Sequence, residues 1–282
     1  MIITIEDDFD LSKIAYSGQC FRVANVSDNM FRFIKGDNVL YIKPAGYGVR
    51  ICPSTGNVLI KNFDISCSID EWDDVWFNYF DFFTNYSEIR KSIPESDAYL
   101  TNAAELGKGI RILKQDKFET LISFIISQRK SIPAIKKSVE MLSQKYGKKS
   151  SDDSSLYLFP TAEQLLAATD EELKECGLGY RIPYIKRASE MVAHKEINLD
   201  ELNILSDEEL VETLKSFHGV GDKVANCVAL FSYHRIGLAP VDTWIKKIIE
   251  NEYHGISPFG NYGANAGIMQ QYMFYAAQHL KV

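Results

Sequence analysis

Four helix-start signals follow one another in the second part of the chain. Each places a residue that can cap a helix three positions before a Glu or Gln that can bond back to it, and the four begin at Asp116, Thr161, Thr169 and Ser206. Such a start satisfies backbone N–H groups that would otherwise lack partners. We therefore expect residues 106–282 to form a mostly α-helical domain, with one polar linker at Lys148 to Ser155.

The first part of the chain has a different pattern, in which apolar and polar residues alternate between turn signals. The alternation extends from Met30 to Phe63, and turn-forming residues cluster at 36–38, 44–46 and 54–57. The aromatic-rich stretch from Trp72 to Phe83 is predicted to be helical and to pack its rings on the sheet. We expect residues 1–105 to form an antiparallel β-sheet domain with helices, so the chain as a whole is predicted to be of the α+β class.

A glycine-rich turn separates two of the predicted helices. It comprises His218, Gly219, Val220 and Gly221. Glycines tolerate backbone angles that other residues resist and leave no Cβ in the way, so the N–H groups of this hairpin can approach a phosphate oxygen. Such a hairpin holds a DNA backbone without reading its sequence. Taken alone, the same pattern is equally typical of a simple turn before a helix.

Two charged residues near the hairpin have the chemistry of a sugar-cleaving site. Lys223 falls in the first turn of the second helix, where the positive end of the helix dipole and any burial favour a neutral, nucleophilic amine. Asp242 follows Pro240-Val241 at the start of another helix, where an ionised carboxylate can stabilise positive charge on a sugar. Alone, each is more often a surface lysine or a simple helix cap. The combination with the hairpin favours the catalytic interpretation.

The stretch from Leu214 to Asp242 resembles the signature of the helix-hairpin-helix (HhH), Gly-Pro-Asp (GPD) superfamily of DNA glycosylases, with Val241 at the middle position. Within it, the chain is most similar to the 8-oxoguanine DNA glycosylases, with further matches at 17–22, 115–121, 177–181 and 267–274. The resemblance implies a TBP-like sheet domain over 1–105 and a catalytic domain over 106–282. It also implies a bifunctional enzyme, in which Lys223 displaces 8-oxoguanine from duplex DNA and the resulting Schiff base permits β-elimination. No cofactor and no metal ion are expected to take part in the chemistry.

The resemblance assigns further residues to the damaged base. The carbonyl of Gly18 is expected to accept from N7–H of 8-oxoguanine, an atom at which guanine carries a lone pair instead. Cys227 and Phe274 are expected to sandwich the ring, and Gln270 to bond its Watson–Crick edge. Trp244 matches a position that contacts the phosphate side of the extruded nucleotide in relatives, where it is often a histidine.

Contacts with the rest of the duplex are also implied. Tyr180 is expected to fill the gap left by the extruded nucleotide, and Arg181 to reach the orphaned partner base. Arg129 and Lys130, at the end of an apolar helix, are expected to contact DNA. Eukaryotic members have consecutive asparagines over 128–131 and an arginine where this chain has Ala134. The chain is similar to a smaller bacterial branch, and we predict a relaxed preference for cytosine opposite the lesion.

Composition is compatible with this interpretation. The chain has 282 residues, 46% of them hydrophobic, and a formal net charge of −7, with basic residues concentrated over 101–150. Neither a signal peptide nor a membrane span is predicted. The five cysteines are scattered without a C-x-x-C pair, which argues against disulfides and against the iron–sulfur loop of some superfamily members. We expect a cytoplasmic, nucleoid-associated monomer whose partner is double-stranded DNA containing 8-oxoguanine.

Two alternatives stay open at this point. One is an enzyme of the same superfamily for another damaged purine, such as an alkylated base; those relatives generally lack the lysine and use water. The other is a catalytically silent DNA-binding module, in which the hairpin only grips phosphate.

Overall fold

The computed structural model describes residues 1–52 and 56–280 and shows an antiparallel sheet followed by a helical array. The sheet has five strands in the order β1-β5-β4-β3-β2. The strands are β1 (Ile2–Ile5), β2 (Ala24–Ser27), β3 (Met30–Lys35), β4 (Asn38–Cys52) and β5 (Gly56–Ile65). The predicted α+β class is confirmed. The edge strands β1 and β2 lie outside the segment from which we predicted the sheet.

One predicted turn is wrong. Residues 44–46 do not end a strand but lie within β4, where the pairing shifts from Pro44 opposite Phe63 to Tyr47 opposite Lys61. The shift leaves one extra residue on β4, which is a β-bulge. A bulge accommodates a proline, which has no N–H for the ladder, and Gly46 takes φ +92° there. Of the turn predicted at 54–57, residues 54 and 55 lie outside the described residues, and 56–57 belong to β5.

The helices beside the sheet are short. They are α1 (Leu11–Tyr16), α2 (Ile69–Glu71), a π-helical turn (Trp72–Trp76), α3 (Phe77–Tyr79), α4 (Tyr86–Lys91) and α5 (Ala98–Leu106). The aromatic stretch predicted as a helix to residue 83 is therefore helical only to Tyr79. Its assignment to the core is confirmed for Trp72, Trp76, Tyr79 and Phe80, which are buried against the sheet, whereas Phe83 is exposed.

The remaining helices build the second half of the molecule. They are α6 (Lys117–Ser127), α7 (Ile132–Tyr146), α8 (Ala162–Leu166), α9 (Asp170–Glu175), α10 (Ile182–Ala193), α11 (Asp207–Lys215), α12 (Asp222–Ser232), α13 (Thr243–Glu252) and α14 (Ala266–His279). Reciprocal capping boxes are confirmed at Thr161, Thr169 and Ser206. At Asp116 only half of the capping box forms. The Asp116 carboxylate accepts from the backbone N–H of Glu119, but the Glu119 side chain does not accept from the backbone N–H of Asp116.

The hydrophobic interior consists of two main clusters. One lies between the sheet and the aromatic helix turns, and the other fills the helical array. Helix α5, which precedes the predicted domain boundary near residue 105, contributes Leu100, Ala103 and Ala104 to the helical cluster. The boundary itself stays a prediction.

The polar stretch predicted as a linker is held against the sheet. Asp152 accepts a hydrogen bond from the backbone N–H of Val39 (3.2 Å), and Tyr41 donates its hydroxyl to Asp153. An antiparallel bridge between Lys149 and Tyr157 closes the segment. Its polarity therefore provides hydrogen bonds to the start of β4.

No helix in the described ranges is long and apolar enough to cross a membrane. Cys20, Cys67, Cys176 and Cys227 are free thiols, and the side chain of Cys52 lies outside the described part of the chain.

The Glu119 carboxyl gives the fold a pH dependence that can be measured. It lies 4.0 Å from the guanidinium of Arg22, and its burial raises its pKa from 4.5 to about 7. Between these values the unfolded chain releases the proton while the folded chain retains it, so the free energy of unfolding falls as pH rises. We expect a loss of about 3 kcal/mol between about pH 4.5 and about pH 7.

Glu119→Gln should abolish most of this loss in urea unfolding across the same pH range. Glu140→Gln removes the other carboxylate beside Arg22 (3.9 Å) and should retain most of the slope, because burial is the largest cause of the raised pKa of Glu119. An unchanged slope in Glu119→Gln would contradict the assignment.

Candidate active site

A cavity of about 700 Å³ lies where α6, α7, α12, α13 and α14 converge on the loop after α1. Every residue predicted as catalytic or base-binding lies on its wall: Gly18, Lys223, Cys227, Asp242, Trp244, Gln270 and Phe274. Arg129 and Lys130 also line it, whereas the hairpin glycines and Tyr180 lie outside. The fold thus brings together side chains that are more than 200 residues apart in the sequence.

Lys223 lies on an apolar floor. It is the second residue of α12 and is half-buried, with Nζ 5.0 Å from the centre of the Phe124 ring. Phe124 stacks on Phe231, which also lines the cavity. Cys227 follows Lys223 by one helical turn, so both point from the same face of the helix. Burial raises the pKa of the Cys227 thiol, and the charge of Lys223 partly opposes that shift.

Asp242 caps α13, as predicted from the sequence. Its Oδ1 accepts from the backbone N–H groups of Trp244 (3.0 Å) and Ile245 (2.9 Å). Both bonds use the same oxygen, so Oδ2 has no hydrogen-bond partner among the described residues. A carboxylate held by two N–H groups at a helix start keeps a fixed direction.

Helix α14 forms the opposite wall with three residues at a four-residue spacing: Gln270, Phe274 and Gln278. Gln270 is only 4% exposed, and its Oε1 is buried without a hydrogen-bond partner in the described structure. The Nε2 of Gln278 is buried and unpaired in the same way. Leaving a buried polar atom unpaired costs about 1–3 kcal/mol, which a ligand with a matching group can recover. Gln278 was not predicted from the sequence, although it follows Phe274 by one helical turn and that spacing places both on one face.

The hairpin is shaped by its first glycine. Gly219 has φ +83°, and a Cβ added there would lie 2.4 Å from Cδ2 of Tyr184. Its carbonyl accepts from Nε2 of Gln128 (3.0 Å). Gly221 has φ −102° and ψ −177°, an extended conformation open to any residue, so only Gly219 uses the backbone freedom expected of the two glycines. An added Cβ at Gly221 would meet no atom within 4 Å. Val220 is buried, so apart from the exposed side chain of His218 the hairpin presents backbone.

Tyr180 and Arg181 lie beside the hairpin in different environments. Tyr180 is 52% exposed, and its ring meets that of Tyr184 edge to face. Arg181 is buried, with its guanidinium 4.4 Å from the centre of the Tyr180 ring. It donates to the carbonyls of Leu178 and Gln128. In this conformation Tyr180 is available to a ligand, and Arg181 is committed to the loop around it.

The two basic residues at the end of α6 also differ. Arg129 is exposed at the edge of the cavity and takes φ +52°, a conformation rare for residues with a Cβ. Lys130 donates to Oγ of Ser138 (2.5 Å) and to the carbonyl of Gly177 (2.7 Å). Burial and then the neighbouring Arg181 lower the pKa of Lys130. Lys130 therefore ties two loops together, and Arg129 is the freer cation.

The two hairpin glycines form a matched pair for substitution. Gly219→Ala should lower the free energy of unfolding by about 1–2 kcal/mol from its φ alone, and further because Tyr184 must move. Gly221→Ala should change it by less than about 0.5 kcal/mol. If the outward face of the hairpin meets phosphate, Gly221→Ala should still weaken binding to duplex DNA by about tenfold. Urea unfolding and fluorescence anisotropy check the pair, and equal destabilisation by both variants would contradict the assignment.

Two family models match successive parts of the chain. Residues 1–121 match the model of the 8-oxoguanine DNA glycosylase N-terminal domain, and residues 122–258 match the HhH-GPD superfamily base excision DNA repair protein model. An N-glycosylase/DNA lyase of Saccharomyces cerevisiae is 32% identical over 212 residues, which cover 69% of this chain and 50% of that protein. The match with the yeast protein thus spans half of its length.

Two solved structures match over nearly their whole length. MBOgg1 in complex with a low-affinity DNA ligand superposes with a TM-score of 0.88 at 34% identity, covering 100% of this chain and 96% of that chain. The 8-oxoguanine glycosylase/lyase of Clostridium acetobutylicum, in complex with double-stranded DNA containing cytosine opposite 8-oxoG, superposes with a TM-score of 0.83 at 34% identity, covering 100% and 99%. The sequence matches and the shared fold agree, and the chain belongs to the 8-oxoguanine DNA glycosylase family of the HhH-GPD superfamily of base excision DNA repair proteins.

Proposed function

We propose that this chain is a bifunctional DNA glycosylase and lyase that removes 8-oxoguanine from duplex DNA, with Lys223 as the nucleophile. The observation that carries the proposal is one cavity in which Lys223, Asp242 and the predicted base-binding residues meet. Its volume of about 700 Å³ lies within the range of about 300–1,000 Å³ that is usual for small-molecule sites. The proposal includes action as a monomer and a cytoplasmic, nucleoid-associated location.

The first step is extrusion of the damaged nucleotide, because its C1′ cannot be reached inside the base stack. Extrusion costs a few kcal/mol, and a side chain that fills the vacated space offsets part of this cost. The exposed ring of Tyr180 suits this task. The hairpin backbone at Gly219 to Gly221 binds phosphate and keeps the duplex in place.

Recognition of the base follows in the cavity. The carbonyl of Gly18 accepts from N7–H of 8-oxoguanine, whereas the N7 lone pair of guanine is repelled there. Phe274 and Cys227 stack on the two faces of the ring, and the unpaired Oε1 of Gln270 accepts from its Watson–Crick edge. One lost hydrogen bond with a buried acceptor costs about 1–3 kcal/mol, and about 1.4 kcal/mol corresponds to a tenfold change in rate.

The chemical step uses the amine of Lys223. The nitrogen forms a bond to C1′, the C1′–N9 bond breaks, and the base leaves with the electron pair of that bond and takes up a proton. The sugar ring then opens to give a Schiff base, whose loss of a C2′ proton expels the 3′ phosphate. Positive charge develops on the sugar while C1′–N9 breaks, and the fixed carboxylate of Asp242 stabilises it.

Borohydride trapping on a duplex with a single 8-oxoguanine tests the nucleophile. The unaltered protein and Lys137→Gln, which changes an exposed lysine on α7, should both give a covalent adduct. Lys223→Gln should give none. Base release without an adduct in the unaltered protein would assign the reaction to water and refute the Schiff base. Salt-sensitive DNA binding without base release would favour the silent binding module instead.

Asp242→Asn tests the electrostatic assignment. Asparagine caps a helix about as well as aspartate, so the melting temperature should change little. Loss of the negative charge should lower single-turnover base release by about a hundredfold. DNA affinity that falls as much as the rate would contradict a role confined to the chemical step.

A relaxed preference for the opposite base belongs to the same proposal. With Ala134 at the start of α7 and Arg181 committed to the carbonyls of Leu178 and Gln128, few groups are left to read the opposite cytosine. The rates of 8-oxoguanine excision opposite cytosine and opposite adenine should differ by less than about a hundredfold. Ala134→Arg should increase the preference for cytosine. A difference of several hundredfold in the unaltered protein would refute the inference.

A further inference from the structure

The proposed lesion-recognising group is the carbonyl of Gly18, and its direction is not fixed by the residue itself. Gly18 has φ +78°, a region in which glycine moves more freely than other residues. The peptide that follows it has the Gly18 carbonyl on one side and the Gln19 N–H on the other. If that peptide turned over, an N–H donor would face the base, which matches the N7 lone pair of guanine and opposes the N7–H of 8-oxoguanine. The orientation of one peptide therefore decides which base is accepted.

Neighbouring residues hold this loop on both sides of Gly18. Before it, the carbonyl of Ser17 accepts from Nε2 of Gln271 at 2.6 Å. After it, the carbonyl of Gln19 accepts from Nε2 of Gln115 at 2.8 Å. The Gln19 side chain donates to Ser17 Oγ and to the Arg111 carbonyl, and accepts from the Leu113 N–H. Within the described residues no donor bonds to the Gly18 carbonyl itself, so it is left for a ligand.

Gln271 differs in its position from the other residues that hydrogen-bond to this loop. It is 2% exposed and lies on α14 directly after Gln270, on the helix that also carries Phe274. Its bond to Ser17 joins parts of the chain that are 254 residues apart. Through this bond α14 holds the Gly18 loop against the wall that carries the other base contacts. The ring of Phe274 fits closely there, because a Cβ at Gly18 would lie 2.8 Å from its Cε1.

We propose that Gln271 is a positioning residue for lesion discrimination. By holding the Ser17 carbonyl, it keeps the following peptide in the orientation that presents a carbonyl, not an N–H, to the base. Its side-chain amide bonds to the Ser17 carbonyl, so it acts on the choice of base and not on the Schiff-base chemistry. This inference rests on the proposed function of Gly18.

The experiment separates recognition from chemistry. Gln271→Met keeps the length of the side chain and removes the donor, and Gln144→Met changes an exposed glutamine on α7 as the matched control. Base release from 8-oxoguanine duplex and borohydride trapping on a preformed abasic duplex are measured for both, with affinity for 8-oxoguanine and guanine duplexes. In Gln271→Met we expect the rate of base release to fall by about tenfold or more and the ratio of affinities for 8-oxoguanine and guanine duplexes to decrease. The yield of abasic trapping should stay within about twofold of that of the unaltered protein.

A second variant keeps the proposal testable if Gln271→Met folds poorly. Gln271→Glu can donate an O–H to the Ser17 carbonyl when protonated and repels it when ionised, so base release relative to abasic trapping should recover as pH falls. Full base release by Gln271→Met, or an equal loss in abasic trapping, would overturn the inference. Failure of the unaltered protein to release 8-oxoguanine would overturn the proposed function instead.

Discussion

The structure depends on one buried guanidinium, that of Arg111. Its side chain is 0% exposed and lies between the rings of Phe82 (4.6 Å) and Tyr86 (4.3 Å). Its N–H groups bond to the Asp7 carboxylate and to the carbonyls of Asp8, Phe80, Asp81 and Thr84. A buried charge is tolerated only when such donors are satisfied. The backbone carbonyl of Arg111 accepts from Gln19, so the residue that joins the segment after β1 to the turn after α3 also supports the loop that carries Gly18.

The distribution of charge takes on another meaning in the folded chain. Several basic residues over 101–150 form ion pairs with other residues of the chain: Lys114 pairs with Asp81, Lys117 with Asp200 and Lys145 with Glu175. Lys130 and Arg111 are committed to protein oxygens as well. A net charge of −7 is compatible with DNA binding when the grip comes mainly from backbone amides and a few cations at the cavity.

The sequence predicted what depends on neighbours along the chain. Thr161, Thr169, Ser206 and Asp242 cap helices as expected, because a cap and its partners lie within one turn. The turn expected at Pro44 failed because pairing with β5 carries the strand through a bulge. The bonds of Arg181, Lys130 and Gln271 could not be predicted, since each joins residues brought together only by helix packing. Family resemblance identified the residues of the cavity, and the structure shows that they line the same one.

The row of rings from Tyr180 through Tyr184 to His218 links the exposed tyrosine to the hairpin, with centres 6.2 and 4.7 Å apart. Tyr184 also fills the space beside Gly219, so Tyr180 and the hairpin, both proposed to meet DNA, are packed together through one ring. If the two move as one body when they bind, the duplex has to bend to meet both of them together. Flexible base steps and mispaired or damaged sites bend at lower cost than regular stacked DNA. The local bending stiffness of the DNA would then determine where the protein stays bound longest, before any atom of the base is recognised.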